Sequence, residues 1–338
     1  AAMLGMVVTG ALAVTALRAR DEAIRQRTEA EALVDFMLTD LRQRLKAYSR
    51  LDVMEQVNMR ALRYYAGQDL ARLPAASLEQ RAMVLRSMGE DDDTRGDVRA
   101  AEAKFAEAHR TTATLLAADP RSTERLYEHA QSEYWIGYIR WQQGDAAGAR
   151  QAFLRYDALA QRLLAVEPRN PDWILEAAYA QSNLGTLALR GARQPALALD
   201  HFTRARDLFA VVARLRPDDV QAQLDLADAI AWVADCDRWL GRYAAARQQR
   251  DAEAELLARL RRADPANLTL LSFSLANRLS QARIDLDTGA QPQALERLRE
   301  RTTAAGGAAV LLDAPPEIST AVDAWGPVPG IELMRLGF

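Results

Sequence analysis

Lysine is almost missing from this chain of 338 residues: Lys46 and Lys104 are the only two, and arginine supplies the other basic side chains. The 43 basic and 46 acidic residues are interspersed and leave a formal net charge of −3, so no positive excess exists to neutralise a phosphate backbone and nucleic acid is not an expected partner. A single cysteine, Cys236, excludes an internal disulfide; inside Ala231-Trp232-Val233-Ala234-Asp235-Cys236 it reads as a small buried residue. The three histidines, His109, His129 and His201, each stand alone in a helical pattern with no Cys, His or carboxylate at metal-ligand spacing, so neither a metal site nor a catalytic base is expected. Glu90-Asp91-Asp92-Asp93 lacks the alternating ligands and internal glycine of a calcium loop and reads as a solvated helix end. Gly306-Gly307 is followed by no Lys-Ser or Lys-Thr, and there is no Gly-x-Ser-x-Gly elbow. No catalytic constellation and no cofactor site follow from the sequence, and the chain is not expected to be an enzyme.

Proline and glycine are also scarce, at 12 and 17, and fall mostly between long stretches rich in Ala, Leu, Arg and Glu. These are strong helix formers, and 49% hydrophobic residues are ample for a buried core, so an all-α protein is expected. Ala1 to Leu17 carry no charge, and the chain opens without an initiator Met, as the end of a longer apolar segment would. This run reaches the lower length limit for crossing a bilayer and predicts a transmembrane segment over 1–17. Gly5, Thr9 and Ala13 put small residues on one face of it, where a second copy could pack in a homo-oligomer. Residues 18–74 predict juxtamembrane helices: Leu33, Val34, Met37, Leu38, Leu41 and Leu45 form one apolar stripe, and Val53, Met54, Val57, Ala61 and Leu62 a second, capped by Asp52 and ended at Gly67.

From residue 75 to 303 the chain repeats itself. Pro120, Pro168, Pro217 and Pro265 are 48, 49 and 48 residues apart. Gly89, Gly137, Gly185, Ala234 and Ala282 keep the same step, as do Ala101, Ala149, Ala198, Ala246 and Ala294, and then Phe105, Phe153, Phe202, Arg250 and Leu298. In each unit a first helix carries the small residue and ends near Gly96, Gly144, Gly191, Gly241 or Gly289; a second runs to the next proline. Five antiparallel helix pairs are expected, with Gly permitting each turn and Pro separating the units. Trp135 and Trp232 occupy equivalent positions and read as core.

The series Ile136-Gly137, Gly144-Asp145, Ala149, Phe153 and Glu167-Pro168 resembles the tetratricopeptide repeat. That repeat has 34 residues, and the surplus here predicts helices about two turns longer at their outer ends. The resemblance implies a superhelical solenoid of helix pairs, which binds on its concave face. Carried over position by position, the inward set is Met83, Arg86, Glu90 and Asp93, then Gln131, Tyr134, Tyr138 and Trp141, then Tyr179, Ser182, Thr186 and Leu189, then Asp228, Ala231, Asp235 and Arg238. Tyr134, Tyr138, Trp141 and Tyr179 would form an aromatic centre, flanked by Asp228, Asp235 and Arg238, that suits an Arg- or Lys-containing protein segment. The same aromatic residues would equally serve as packing between long helices.

Residues 31–69 are similar to a segment of bacterial single-pass signalling proteins lying between a membrane helix and such repeats. The resemblance implies a membrane-tethered interaction, sensor or oligomerisation module of a signalling or defence protein, whose kinase, TIR-type or other effector would precede Ala1. The alternatives are the regulatory part of an enzyme whose catalytic domain lies elsewhere, or a structural solenoid of an envelope complex. An inner-membrane location follows from the resemblance, with the repeats in the periplasm, although Arg18, Arg20, Arg25 and Arg27 favour the cytoplasm by the positive-inside rule. The tail, 304–338, holds Pro315-Pro316, Pro327 and Pro329 among apolar residues such as Trp325 and Ile331, and is expected to fold back as an irregular cap, the alternative being a docking segment for a second chain.

Overall fold

The computed structural model describes residues 73–304 continuously and, before them, residues 15, 17–22, 24–29, 32, 36, 59, 60, 62, 63, 65 and 70. Most of the apolar run 1–17, the whole first juxtamembrane stripe, most of the second and the tail from residue 305 lie outside the described residues. Among the described residues no helix is long and apolar enough to cross a membrane. Residues 73–304 form ten α-helices: α1 (Ala75–Thr94), α2 (Val98–Ala118), α3 (Thr123–Gln142), α4 (Ala146–Val166), α5 (Pro171–Thr186), α6 (Pro195–Leu215), α7 (Val220–Trp239), α8 (Tyr243–Ala263), α9 (Leu268–Asp287) and α10 (Gln291–Ala304). They fall into two compact units, one up to Ile139 and one from Arg140 onward.

In the first unit α1 and α2 pack as a pair, joined by Ala82, Leu85 and Ala108. Tyr65 is fully buried against Val84, in a cluster with Leu62, Leu73, Met83 and Met88, so residues ahead of the repeats belong to this core. Gly89 lets the α2 ring of Phe105 touch the α1 backbone: a Cβ at Gly89 would lie 2.5 Å from Phe105 Cε1. Trp135 of α3 stacks on the other side of that ring, with centroids 4.8 Å apart and planes within 11°.

The second unit builds the same layer again. A Cβ at Gly185 of α5 would lie 2.9 Å from the Phe202 ring of α6, and Trp232 of α7 stacks on Phe202 at 5.2 Å and 12°. Ala188, Leu189, Ala198, Val233 and Cys236 complete this cluster. Cys236 is fully buried, and burial, helped by the flanking Asp235 and Asp237, pushes its thiol up to about 12, which makes it unreactive. Ile174, Val212 and Ala222 continue the core, followed by Leu224, Ala227, Leu256, Leu257 and Leu270. Within this unit each helix from α4 to α10 packs on the next, and caps from Asp145, Asn170, Asp219 and Asn267 accept from first-turn amides.

Four turns inside the pairs place glycine in the left-handed region: Gly96 (φ 82°), Gly144 (81°), Gly241 (73°) and Gly289 (78°). The third pair differs. The single 49-residue step in the glycine-to-alanine spacing marks one extra residue between Gly185 and Ala198, and α5 ends in a π-helical turn, Leu187–Gly191. A π turn absorbs one inserted residue without rotating the rest of the helix, and Gly185 and Phe202 keep their contact. Its cost is displaced to Arg193, which takes the left-handed position at φ 50°. Arg193→Gly is therefore expected to raise stability by up to about 1 kcal/mol, the strain relieved less the extra freedom of an unfolded glycine; chemical denaturation measures it.

The fourth unit puts Arg250 where Phe105, Phe153 and Phe202 stand in the others, and there the core becomes ionic. Arg250 is 3% exposed and donates to Asp235 (2.5 Å) and Glu253 (2.7 Å), while Asn277 donates to Glu253 and to the Arg250 carbonyl (2.8 Å each). Burial would lower the guanidinium's affinity for its proton, but Asp235 and Glu253 outweigh it and the net direction is upward. Asp228, buried beside this group, accepts from Trp232 Nε1 (3.0 Å). Burial, reinforced by the Glu253 charge, lifts it to about 7, and burial lifts Asp225 to about 6 against the hydrogen bonds from Gln221 and Tyr179. A carboxyl raised in the fold contributes stability that is complete below its ordinary value near 3.8 and lost as pH rises through 6 to 7. Thermal stability is accordingly expected to fall from pH 5 to pH 8. Asp228→Asn, whose amide oxygen can still accept from Trp232, should flatten that fall and exceed the parent at pH 8 by about 1–3 kcal/mol.

Candidate functional site

The residues that the sequence nominates for a partner divide between the two units. In the first, Tyr134 is 6% exposed and packs on Trp135 and Tyr138, with centroids 5.1 and 6.2 Å away. Tyr138 is half-buried and its hydroxyl donates to Asp93 of α1 at 3.1 Å. In the second, Tyr179 is 8% exposed, stands edge-on to Phe209 at 5.3 Å and donates to Asp225 at 2.8 Å. Asp228 is buried under Trp232, and Asp235 is committed to Arg250. Tyr134, Tyr179 and Asp228 thus serve the core; Tyr138, Trp141, Asp235 and Arg238 keep part of their surface in solvent. Trp141 lies against the π turn, where a Cβ on Gly191 would meet its ring at 3.0 Å.

Arg238 leads to a pocket of about 690 Å³ beside that turn, lined by Leu189, Arg190, Arg193, Pro195, Arg238, Trp239 and Asp287. Its elements come from three helix pairs: the π turn and the start of α6, the end of α7, and the end of α9. Arg238 Nε donates to Asp287 at 2.6 Å. Arg190 sets its guanidinium over the Trp232 ring at 5.2 Å, and its buried Nε has no hydrogen-bond partner among the described residues. Arg193 is exposed and makes no hydrogen bond or ion pair among the described residues. Trp239 presents 54% of its surface. Gln194 makes no side-chain cap, so the positive end of the α6 dipole faces this place without a side-chain acceptor. Three guanidinium groups against one carboxylate make a concave, cationic surface with an aromatic edge.

Two sequence expectations are corrected. The acidic run at the end of α1 is not solvated: Asp91 and Asp92 are 3% and 6% exposed, and Asp92 takes hydrogen bonds from Lys104 and Arg95. The α1–α2 turn folds Lys104 back over it, which a linear spacing does not display. Nor do His109 and His129 stand alone: their rings are 4.9 Å apart and both approach Glu133. His201 is separate; it is hydrogen-bonded to Gln181 at 2.9 Å and shifted down by burial.

No family model matches the chain, and no curated protein matches it. Solved structures do. BtubC from P. vanneervenii superposes with a TM-score of 0.56 at 12% identity, over 80% of this chain and 95% of that one. PilF from Pseudomonas aeruginosa gives 0.49 at 16% identity over 83% and 95%, and a thermophilic TPR protein from Thermus thermophilus gives 0.33 at 17% over 67% and 92%. The helix pairs and the first of these likenesses establish the architecture: the chain has a tetratricopeptide-like, all-α fold.

Proposed function

We propose that the chain is a protein-interaction module without catalysis of its own, which holds an acidic segment of a partner protein in the pocket beside the π turn. The observation that carries this reading is Arg193. Four pairs turn on glycine, and the third turns on a strained arginine whose side chain makes no hydrogen bond or ion pair among the described residues. Strain of this kind persists where the side chain has a use. Aspartate or glutamate side chains suit guanidinium forks in bidentate geometry, and Trp239 offers the aromatic anchor that dominates many interfaces. The titratable groups of the pocket are three arginines and one ion-paired aspartate, a lining that suits an acidic segment.

Fluorescence anisotropy with two labelled peptides tests the reading, one rich in Asp and Glu around an aromatic residue, the other with Lys and Arg in their place. The acidic peptide is expected to bind with a Kd of about 1–100 μM and to weaken steeply with salt. Trp239→Ala and Arg193→Gly should each weaken it by about fivefold or more with no loss of melting temperature. A preference for the basic peptide would overturn the proposal and favour the faces around Tyr138, Trp141 and Asp235.

The same reading extends to the residues ahead of the repeats. The charge-free run 1–17 and the likeness of 31–69 support a tether to a bacterial inner membrane, with the repeats on the periplasmic side as the sensing or assembly part of a signalling or defence protein. The intact chain is expected to need detergent, and a chain starting at Arg18 to be recovered without it. An intact chain that is monodisperse in detergent-free buffer would overturn the tether.

A further inference from the structure

His109 lies on α2 and His129 and Glu133 lie one turn apart on α3, all within the first unit. One ligand atom from each of the three lies within 4.8 Å of the other two. His109 Nε2 is 3.0 Å and His129 Nε2 3.8 Å from the same carboxylate oxygen, Glu133 Oε1. These separations bracket the spacing of about 3.3 Å between donors around a tetrahedral ion with bonds of about 2.0–2.1 Å. The carboxylate is deeply placed, its side chain 3% exposed, against 27% for His109 and 12% for His129.

The hydrogen-bond pattern behind the ligand atoms points the same way. Thr112 Oγ1 has one proton and three neighbours: the His109 carbonyl (3.1 Å), Ser132 Oγ (3.1 Å) and His129 Nδ1 (3.0 Å). The carbonyl can only accept, and Ser132 directs its own proton to the Glu128 carbonyl at 3.1 Å. When the threonine proton goes to the carbonyl or the serine, His129 Nδ1–H donates to Thr112 and the lone pair falls on Nε2, the atom nearer Glu133. A metal-binding imidazole is generally oriented by a hydrogen bond from its far ring nitrogen to an oxygen acceptor, and the Thr112 hydroxyl is placed to be that acceptor. His109 Nε2 reaches Glu133 Oε1 without hydrogen-bond geometry, as two donors aimed at a common third point would.

We infer that His109, His129 and Glu133 bind a divalent transition-metal ion of the zinc class, with a fourth position open to water. Two imidazoles and one carboxylate are a donor set that zinc accepts in tetrahedral form, whereas calcium and magnesium require oxygen. The ion joins α2, the second helix of the first pair, to α3, the first helix of the next, so it acts as a clamp between successive pairs. It needs no part of the cationic pocket and stands or falls independently of it.

Isothermal titration of the untagged full chain with zinc chloride tests the inference. One ion per chain is expected, with a Kd of about 10 μM or tighter, and Co2+ in its place should give the intense visible absorption of a tetrahedral site. His109→Gln and Glu133→Gln should each weaken binding by about tenfold or more with helix content unchanged, and His201→Gln should leave it intact. Zinc-edge X-ray absorption of the loaded parent chain, which depends on no variant, should count two imidazoles. No saturable binding up to about 100 μM, binding indifferent to His109→Gln and Glu133→Gln, or fewer than two imidazoles at the ion would each overturn the site.

Discussion

Two helices approach only as closely as the atoms between them allow, and here the distance is set by a backbone meeting the face of a ring. Gly89 against Phe105 and Gly185 against Phe202 leave no room for a side chain on the glycine. The opposite face of each ring is then free for an indole from the following pair, and Trp135 and Trp232 take it in nearly the same stacked geometry. One contact within a pair therefore fixes the contact to the next. Ring burial of this kind carries a large share of the apolar stabilisation of such a layer. The π turn is intelligible in these terms: an extra residue after Gly185 is tolerated because the bulge absorbs it before Phe202 has to find its glycine.

Much of this was legible in the sequence because the constraint is periodic. The glycine, alanine and phenylalanine series mark the same layer from three sides, and Trp135 and Trp232 fall in it as expected. The 49-residue step even located the insertion, but spacing alone does not say whether an extra residue lengthens a loop or bulges a helix. The pocket is hidden for that reason: of its lining only Leu189 and Arg238 stand among the inward positions, and Arg190, Arg193 and Trp239 converge on them through the bulge. The pairing of His109 with His129 was hidden by treating helices singly. Once Phe105 faces Trp135 across antiparallel helices, a residue one turn beyond Phe105 must meet residues about one turn before Trp135, and His109 meets His129 and Glu133 there.

The aromatic residues chosen for a groove show where transfer from a shorter repeat stops. Longer helices bury positions that would line an open face: Tyr134 packs against Trp135 and Tyr138, and Tyr179 has become a strut whose hydroxyl is received inside the fold. Buried tyrosine keeps a partner for its hydroxyl, and Asp225 supplies one at the cost of a carboxyl drawn out of water. Of the acidic flanks expected to meet a ligand, Asp228 is buried under Trp232, while Asp235 pairs with Arg250 and keeps part of its surface in solvent.

Arg250, set in place of the recurring ring, gives the row of pairs a mechanical character that its regular spacing conceals. In an array whose members lean only on their neighbours, cohesion at each joint is local, and the weakest joint decides where the array parts. The joint at Phe202 is a stack of two rings, with Arg190 and Asp228 touching only its Trp232 side, whereas the one at Arg250 depends on Asp235 and Glu253 keeping their charge and on Asp228 keeping its proton. Unravelling of the second unit should therefore begin at α8 and α9 and proceed outward, and a rise of pH through the range in which Asp228 loses its proton should loosen that joint ahead of the others.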